Sequence, residues 1–586
     1  MTTTASKQPA RQRRSSYLVG KAFRGFLLAS VLTATASQVG NLVDGLMLSH
    51  FINSRAMSAI NIISPVTQVL YSLCILLGVG GTMLAGVAIG NHRRGEASGI
   101  FSRVVSAAAC IGALIGVGGI IFLHPLTRLL CPDTAIQGYT ASYLEVMLPA
   151  SPLYMLMIVM QLFVTLDGEP RRVTWAVVVS MLVNLGLDYL LIAVVKWEMT
   201  GAAVATAVSY LAAIAVLLPH FFRKGALEFK LPRSASGLKE VAAMGLPFGI
   251  ATALIAVQLL GNNLVAIRYL ATSGIVTLSI CTYLLMFSMI LLTGTLESFQ
   301  PVASILKGSG DNRGVALVLR KAYAFLFTGL AVLALILILF PGFIGDIFGI
   351  SDADSAAMVR RALPAYAINI VLQCAVYLLI PVYQLYGHKR LALVISTGQP
   401  LLPLLCFWLL SALSTGHCTW INPWWGFALG QILVALVVLL CVGGNKKEET
   451  PMFLISRDNP DELFDITVHP SEKGMAMALE SVDGWLEKSG IPEALRIRVE
   501  LGCEETLKNI ITHSLGRRGG KSGIDMRISI APEKVAAVIR DEGRPFNPIE
   551  EDPGTGLGLM LVKKTCDGEE YSYIFHQNVL TVTWNR

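Results

Sequence analysis

Residues 175–195 read WAVVVSMLVNLGLDYLLIAVV. The stretch is about as long as a helix that crosses a bilayer, about 20 residues, and almost wholly apolar. Two of its residues do not belong in oil. Asn184 and Asp188 are four positions apart, so on a helix they share one face. An acid at membrane depth costs several kcal/mol and is a functional residue by default. The plain alternative is a carboxyl at a helix end, hydrated at the interface, but Asp188 sits about two turns inside the apolar run. Asp44 lies in a second apolar stretch, FLLASVLTATASQVGNLVDGLMLS. Two acids and an amide in one bundle point to a cation or proton site.

Composition supports a membrane chain. Of 586 residues 54% are hydrophobic and 15% charged, where a soluble protein carries about a quarter charged. Mean hydropathy is +0.62. The net charge of +7 is modest and gives no reason to expect a nucleic-acid partner. Ten cysteines are scattered without a CxxC pair, so no zinc or thioredoxin-like motif is indicated.

Apolar windows give twelve spans, at 23–49, 57–89, 101–123, 139–166, 173–195 and 201–222, then 241–271, 275–306, 315–340, 356–385, 391–411 and 423–442. Even-numbered spans are followed by basic loops such as Arg93/Arg94, Arg171/Arg172 and Lys389/Arg390. Odd-numbered spans are followed by short or mixed ones. Basic loops mark the cytoplasmic side, so both termini are expected there, in a bacterial cytoplasmic (inner) membrane. The halves repeat. Arg94-Gly95 matches Arg313-Gly314, and Leu166-x-Gly168 matches Leu385-x-Gly387, both at an offset of 219. Parallel repeats are a transporter architecture, with substrate held between the halves. The acids are not repeated: Asp44 maps to Asn263 and Asp188 to the neighbourhood of Phe407. Glu297 in the eighth span faces either the central cavity or the cytoplasmic end.

Composition changes at Gly443. The expected organisation is a basic tail at 1–22, a six-helix lobe at 23–222, a loop at 223–240, a second six-helix lobe at 241–442, a linker at 443–460 and a cytoplasmic domain at 461–586. The last region reads as strands FDITVHP, MRISIAP, KVAAVIRD and YSYIFHQNVLTVTW around two amphipathic helices. That pattern is a two-layer α/β sandwich. Within it Glu505 and Asn509 share a helix face. Asp541-Glu542-Gly543 ends a strand, and GTGLGLMLVKK puts glycines at a helix start, where free N–H groups can cradle phosphate.

The stretches VDGLMLSHF, GVAIGNHRRGEA, LDGEPRRVTWAVVVSMLVNLGLDYLL, GAAVATAVSYL and KEVAAMGLPFG resemble the multidrug and toxic compound extrusion (MATE) family over residues 15–442. The resemblance implies antiport: protons or sodium flow in and an organic, cationic or amphipathic compound flows out. It implies an ion site built from Asp44, Asn184, Asp188 and Thr206. The first span departs from some relatives in having no proline, which removes support for a proline-driven bending mechanism. The ordered trio in the tail resembles the ATP-binding fold of histidine kinases, gyrase and anti-sigma-factor serine kinases. By that resemblance Asn509 holds Mg²⁺ on ATP, Asp541 accepts the adenine amino proton, and Gly543 lets the base approach. Gly554, Gly556 and Gly558 wrap the phosphates, and Glu505 is the general base. His513 is read as structural and Glu504 as a solvated charge.

Three functions stay open. The first is a cation-coupled efflux antiporter with a fused ATP-binding regulatory or serine-kinase module. The second is a membrane-tethered serine kinase acting on an anti-sigma-antagonist-like protein. The third is a lipid-type flippase. ATP is not expected to drive transport, since no GxxxxGK[ST] loop is present.

Overall fold

The computed structural model describes residues 15–52, 54–131, 134–223, 227–232, 234–350, 352–415, 420–442, 448–450, 453–456, 462–515, 523–547, 549 and 563–586. They fall into two compact units. One is Gly25–Ser456; the other joins Arg457–Arg586 to the chain's start through Arg24.

The larger unit is a helix bundle. Its first half holds α1 (Tyr17–Phe51), α2 (Ser54–Gly90), α3 (Arg94–Ile121), α4 (Leu123–Leu130), α5 (Thr134–Met147), α6 (Ser151–Leu166), α7 (Pro170–Asp188) and α8 (Glu198–Leu217). The second holds α9 (Leu238–Tyr269), α10 (Ala271–Gly308), α11 (Asn312–Leu339), α12 (Pro341–Ile347), α13 (Ala353–Tyr377), α14 (Leu379–Leu385), α15 (Lys389–Ser414) and α16 (Trp425–Val442). Among the described residues eleven helices are long and apolar enough to cross a membrane, and twelve when one bent pair counts as a single span. That pair is the expected span at 139–166. It is two helices, Ile136–Met147 and Ser151–Leu166, meeting at 60°. The bend falls at Leu148-Pro149-Ala150, where proline disfavours helix in the residue before it and removes a donor. In the second half the matching Pro364 stays inside α13, and the helix yields instead after Tyr377.

The halves meet along a glycine seam. A Cβ at Gly245 would stand 1.8 Å from the Leu76 carbonyl, and one at Gly80 2.1 Å from that of Val241. Further along α2, Gly90 and Gly308 repeat the arrangement against Ile305 and Val87, with 2.1 and 2.2 Å. Only residues without a side chain let α2 lie this close to α9 and α10, where backbone meets backbone.

At the same end of the first half, Asp167 of the LDGEP stretch ties three elements together. Its side chain is buried, and its carboxylate meets His220 Nε2 at 2.9 Å, the Leu227 N–H at 3.2 Å and Arg94 Nη2 at 3.6 Å.

The smaller unit is the expected sandwich. β3 (Leu463–Val468), β4 (Ile524–Ile530), β5 (Lys534–Asp541), β6 (Gly568–Ile574) and β7 (Gln577–Asn585) form one antiparallel sheet in the order β3-β4-β5-β7-β6. Two short strands, β1 (Glu448–Thr450) and β2 (Ile455–Ser456), pair separately within the larger unit. Alternate residues of the five-stranded sheet, such as Ile524, Met526 and Ile528, form one buried face. Against it pack α17 (Glu472–Lys488) and α18 (Glu493–Asn509) through Val482, Leu486, Val499, Cys503 and Leu507. Ser471 caps α17 by accepting the Gly474 N–H at 3.1 Å. Gly502 clears the Trp584 ring, which a Cβ would meet at 2.6 Å.

Candidate functional site

In the bundle, α1 and α7 run side by side. Thr33 Oγ1 and Thr174 Oγ1 lie 2.8 Å apart, and Gly40 faces Met181. Both helices advance in the same direction from these contacts, so a few turns on Asp44 comes to lie against Asp188. The two carboxyls are close enough to interact directly. Asp188 is fully buried. Neither of its oxygens, nor Asp44 Oδ1, has a hydrogen-bond partner among the described residues. Two facing acids without donors repel each other unless a proton or cation sits between them.

Asp188 also marks a change in backbone. α7 passes there into a π-helical turn, Tyr189–Val194, a form concentrated at functional sites. One turn earlier Asn184 Nδ2 donates to Thr206 Oγ1 at a long 3.4 Å, while Thr206 donates to its own helix at Ala202 O, 2.9 Å. All four expected residues thus come from α1, α7 and α8 of one lobe. Two tyrosines complete the surroundings without a sequence signal of their own. Tyr143 lies beside Thr206 and within electrostatic reach of both acids, and Tyr210 within reach of Asp44. Tyr210 also packs on Tyr154, with ring centroids 5.3 Å apart.

The second half has nothing equivalent among the described residues. Asn263, aligned with Asp44 by the repeat, is exposed, and its neighbour Asn262 is buried instead. Phe407 is packed between Trp424 and Phe427. Glu297 sits within α10, inside electrostatic reach of Tyr71 on α2.

In the smaller unit a pocket opens between α18 and the β5–β7–β6 side of the sheet. Asn509 and Asp541 both line it, joined by Ser514, Phe546, Tyr571 and Asn578. Asp541 Oδ1 accepts three hydrogen bonds, from Ser514 Oγ at 2.5 Å, Gly543 N at 2.8 Å and Asn578 Nδ2 at 3.0 Å. Burial nevertheless raises its carboxyl above the ordinary aspartate value, because desolvation outweighs these bonds. A Cβ at Gly543 would stand 1.9 Å from Ser514 Oγ, so the turn accepts glycine alone.

Glu505 lies one helical turn before Asn509, largely covered, with Lys508 Nζ at 3.7 Å. His513 stacks on Phe546 at 5.9 Å, a structural contact that also shapes the pocket wall. Gly554, Gly556 and Gly558 lie outside the described residues. Ser514 and Asn578 carry no motif. Asn578 becomes visible only through strand register, which sets it opposite Asp541.

The geometry has relatives. The MatE family model matches residues 29–190, and the histidine kinase-like ATPase domain model matches residues 470–584. The multidrug export protein MepA of Staphylococcus haemolyticus is 26% identical over 290 residues, 48% of this chain and 63% of that protein. MepA of Staphylococcus aureus is 22% identical over 430 residues, 72% of this chain and 93% of that one. The chain thus spans 63% of the length of the first relative it matches. Among solved structures, the outward-facing conformation of a multidrug resistance MATE family transporter superposes with TM-score 0.65 at 18% identity, over 72% of this chain and 94% of that one. The MATE multidrug transporter DinF-BH gives 0.65 at 18%, over 76% and 100%. The chain accordingly carries a MatE domain, within a helix bundle of the fold seen in MATE transporters, and a histidine kinase-like ATPase domain at residues 470–584.

Proposed function

We propose that the chain exports small organic compounds, cationic or amphipathic, in exchange for protons or sodium. One observation carries this reading: the facing carboxyls of Asp44 and Asp188, with three oxygens lacking partners among the described residues. In an apolar bundle such a pair takes up a cation with a free energy that differs between two bundle arrangements, and that difference is what couples gradient to cargo. Asn184 and Thr206 supply neutral oxygens beside it. Relatives described as multidrug export proteins support the cargo class. In this reading the chain sits in a bacterial cytoplasmic membrane, with lobes at 23–222 and 241–442 and both termini inside.

The domain at 461–586 binds ATP in this reading. The Asp541 carboxylate, the Gly543 turn and the pocket beside them fit an adenine ring. Asn509 is one protein ligand for Mg²⁺, whose other ligands come from phosphates and water. Bound ATP would supply a transferable phosphoryl group, and Glu505, one helical turn before Asn509, takes the nucleophile's proton in this reading. The module regulates export or phosphorylates a partner resembling an anti-sigma antagonist. A kinase with the bundle as its receptor is the second reading, favoured by the intact Glu505, Asn509 and Asp541 geometry alone.

The test is export from proteoliposomes under separate pH and sodium gradients, with and without ATP. Export under neither gradient would reject the antiporter. Failure of the wild-type chain to bind ATP would reject the module.

A further inference from the structure

Residues 15–24 belong with the nucleotide domain rather than with the bundle. The contacts that hold them there are specific. The Ser15 N–H donates to Thr467 Oγ1 at 2.6 Å, and Thr467 in turn donates to Asp525 at 2.6 Å. Gln577 Nε2 donates to the Leu18 carbonyl at 2.9 Å. Lys21 forms an ion pair with Glu542. Leu18, Val19, Ala22 and Phe23 are buried, and Gln577 is only 5% exposed.

Two of these contacts touch the immediate neighbours of the adenine-site residues. Glu542 lies between Asp541 and Gly543, the carboxylate and the glycine of the pocket's turn. Gln577 precedes Asn578, whose amide donates to Asp541. The opening turns of α1 therefore hold the residue that follows β5 and the first residue of β7, two of the strands beside the pocket. Beyond Arg24 the same unbroken helix runs on to Asp44.

We propose that the opening turns of α1 are an integral part of the nucleotide site, so that nucleotide occupancy and the docking of α1 are thermodynamically coupled. The inference rests on the ATP-module reading. Lys21 fixes Glu542 and through it the Asp541–Gly543 turn; Gln577 fixes the first residue of the strand that presents Asn578. Coupling is reciprocal. If docking pre-forms the pocket, loosening it weakens nucleotide binding, and nucleotide in turn tightens docking. Because α1 is continuous, the docked turns give the nucleotide state a hold on the helix that carries Asp44.

The test uses the full-length chain in detergent, with a fluorescent ATP analogue and Mg²⁺. Lys21→Glu is expected to weaken analogue binding on the order of threefold, the scale of a partly exposed ion pair. The charge exchange Lys21→Glu with Glu542→Lys is expected to restore most of it. Ser15→Cys with Thr467→Cys reads docking directly, and its oxidative cross-linking should speed up when ATP is added. Wild-type affinity in Lys21→Glu, together with cross-linking indifferent to ATP, would overturn the coupling while leaving the ATP module intact. Absence of binding in the wild-type chain would overturn the module and the coupling with it.

Discussion

Asn578 donates its side-chain amide to Asp541 Oδ1 at 3.0 Å, across the β5–β7 pair in which the two residues stand opposite each other. The amide is itself held, accepting from Tyr571 Oη at 2.7 Å and from the Phe546 N–H at 3.2 Å. An aspartate oriented this way keeps one direction for its carboxylate before any nucleotide arrives, which spares the ordering cost on binding.

The carboxyl of Asp541 is raised chiefly by burial. Its folded-state value lies above the unfolded one, so the folded domain is relatively favoured while the group stays protonated. That advantage is lost as pH rises through the raised value. Above that raised value the wild type carries the full cost of a buried charge. Asp541→Asn is therefore expected to raise the domain's melting temperature by a few degrees, the shift that about 1 kcal/mol produces in a domain of this size. The difference should shrink as pH falls toward the ordinary aspartate range. The same substitution should weaken ATP at least about tenfold, since a charged acceptor is lost. Melting curves at several pH values and nucleotide titration check both.

Gly543→Ala should fail for a steric reason. The added Cβ would stand 1.9 Å from Ser514 Oγ and 2.6 Å from the Ser514 carbonyl carbon. Removing the hydroxyl with Ser514→Ala leaves the backbone clash, so the double variant should bind nucleotide no better than the single one. A stability loss of about 1–3 kcal/mol is expected, read by denaturant titration of the domain.

Much of this was legible beforehand because it is carried by composition. Apolar length identified the spans, and alternation along β4 and β5 identified the sheet. Asn184 and Asp188 are four apart, and helix geometry alone puts them on one face. What was not legible depends on pairing between distant segments. Nothing local marks Tyr143 as a neighbour of Asp188, Asn578 as a partner of Asp541, or Lys21 as a partner of Glu542. The break at Leu148-Pro149-Ala150 was visible as a proline, yet Pro364 sits in the same tripeptide without breaking its helix. Surrounding packing, not the tripeptide, decides.

The glycine seam makes a mechanical prediction. Gly245→Ala drives a methyl group into the Leu76 carbonyl, 1.8 Å away, and α2 and α9 must separate. Spin labels at the α2 and α9 ends of the seam should move apart by a measurable distance in Gly245→Ala. They should not move in Gly95→Ala, where a Cβ meets nothing within 4 Å. An unchanged distance in Gly245→Ala would show that the seam does not hold the halves together.

Glu505 and Asn509 should separate by function. Glu505→Ala is expected to reduce phosphoryl transfer by about two orders of magnitude, the scale of a general base, while ATP affinity stays within about threefold. Asn509→Ala should instead weaken ATP only when Mg²⁺ is present. Radiolabel transfer to candidate cytoplasmic proteins, beside nucleotide titration with and without magnesium, distinguishes the two.

The acids of the bundle make the most direct prediction about export. Asp188 is fully buried and both its oxygens lack partners among the described residues; Asp44 faces it with one such oxygen. A buried charge without a partner costs free energy, so neither residue is retained for stability. Asp44→Asn and Asp188→Asn should leave the protein at least as resistant to heat in detergent as the wild type. Both should lower gradient-driven export at least about tenfold, because an amide neither releases a proton nor neutralises a sodium ion. Asn184→Ala should cost less, since its bond to Thr206 is long at 3.4 Å. Thr206→Ala should cost least, because that hydroxyl already donates to Ala202 O within its own helix. Export assays on the four variants under each gradient therefore give a ranking: both acids first, then the amide, then the hydroxyl. A ranking led by Thr206 would move the ion site off the α1–α7 contact.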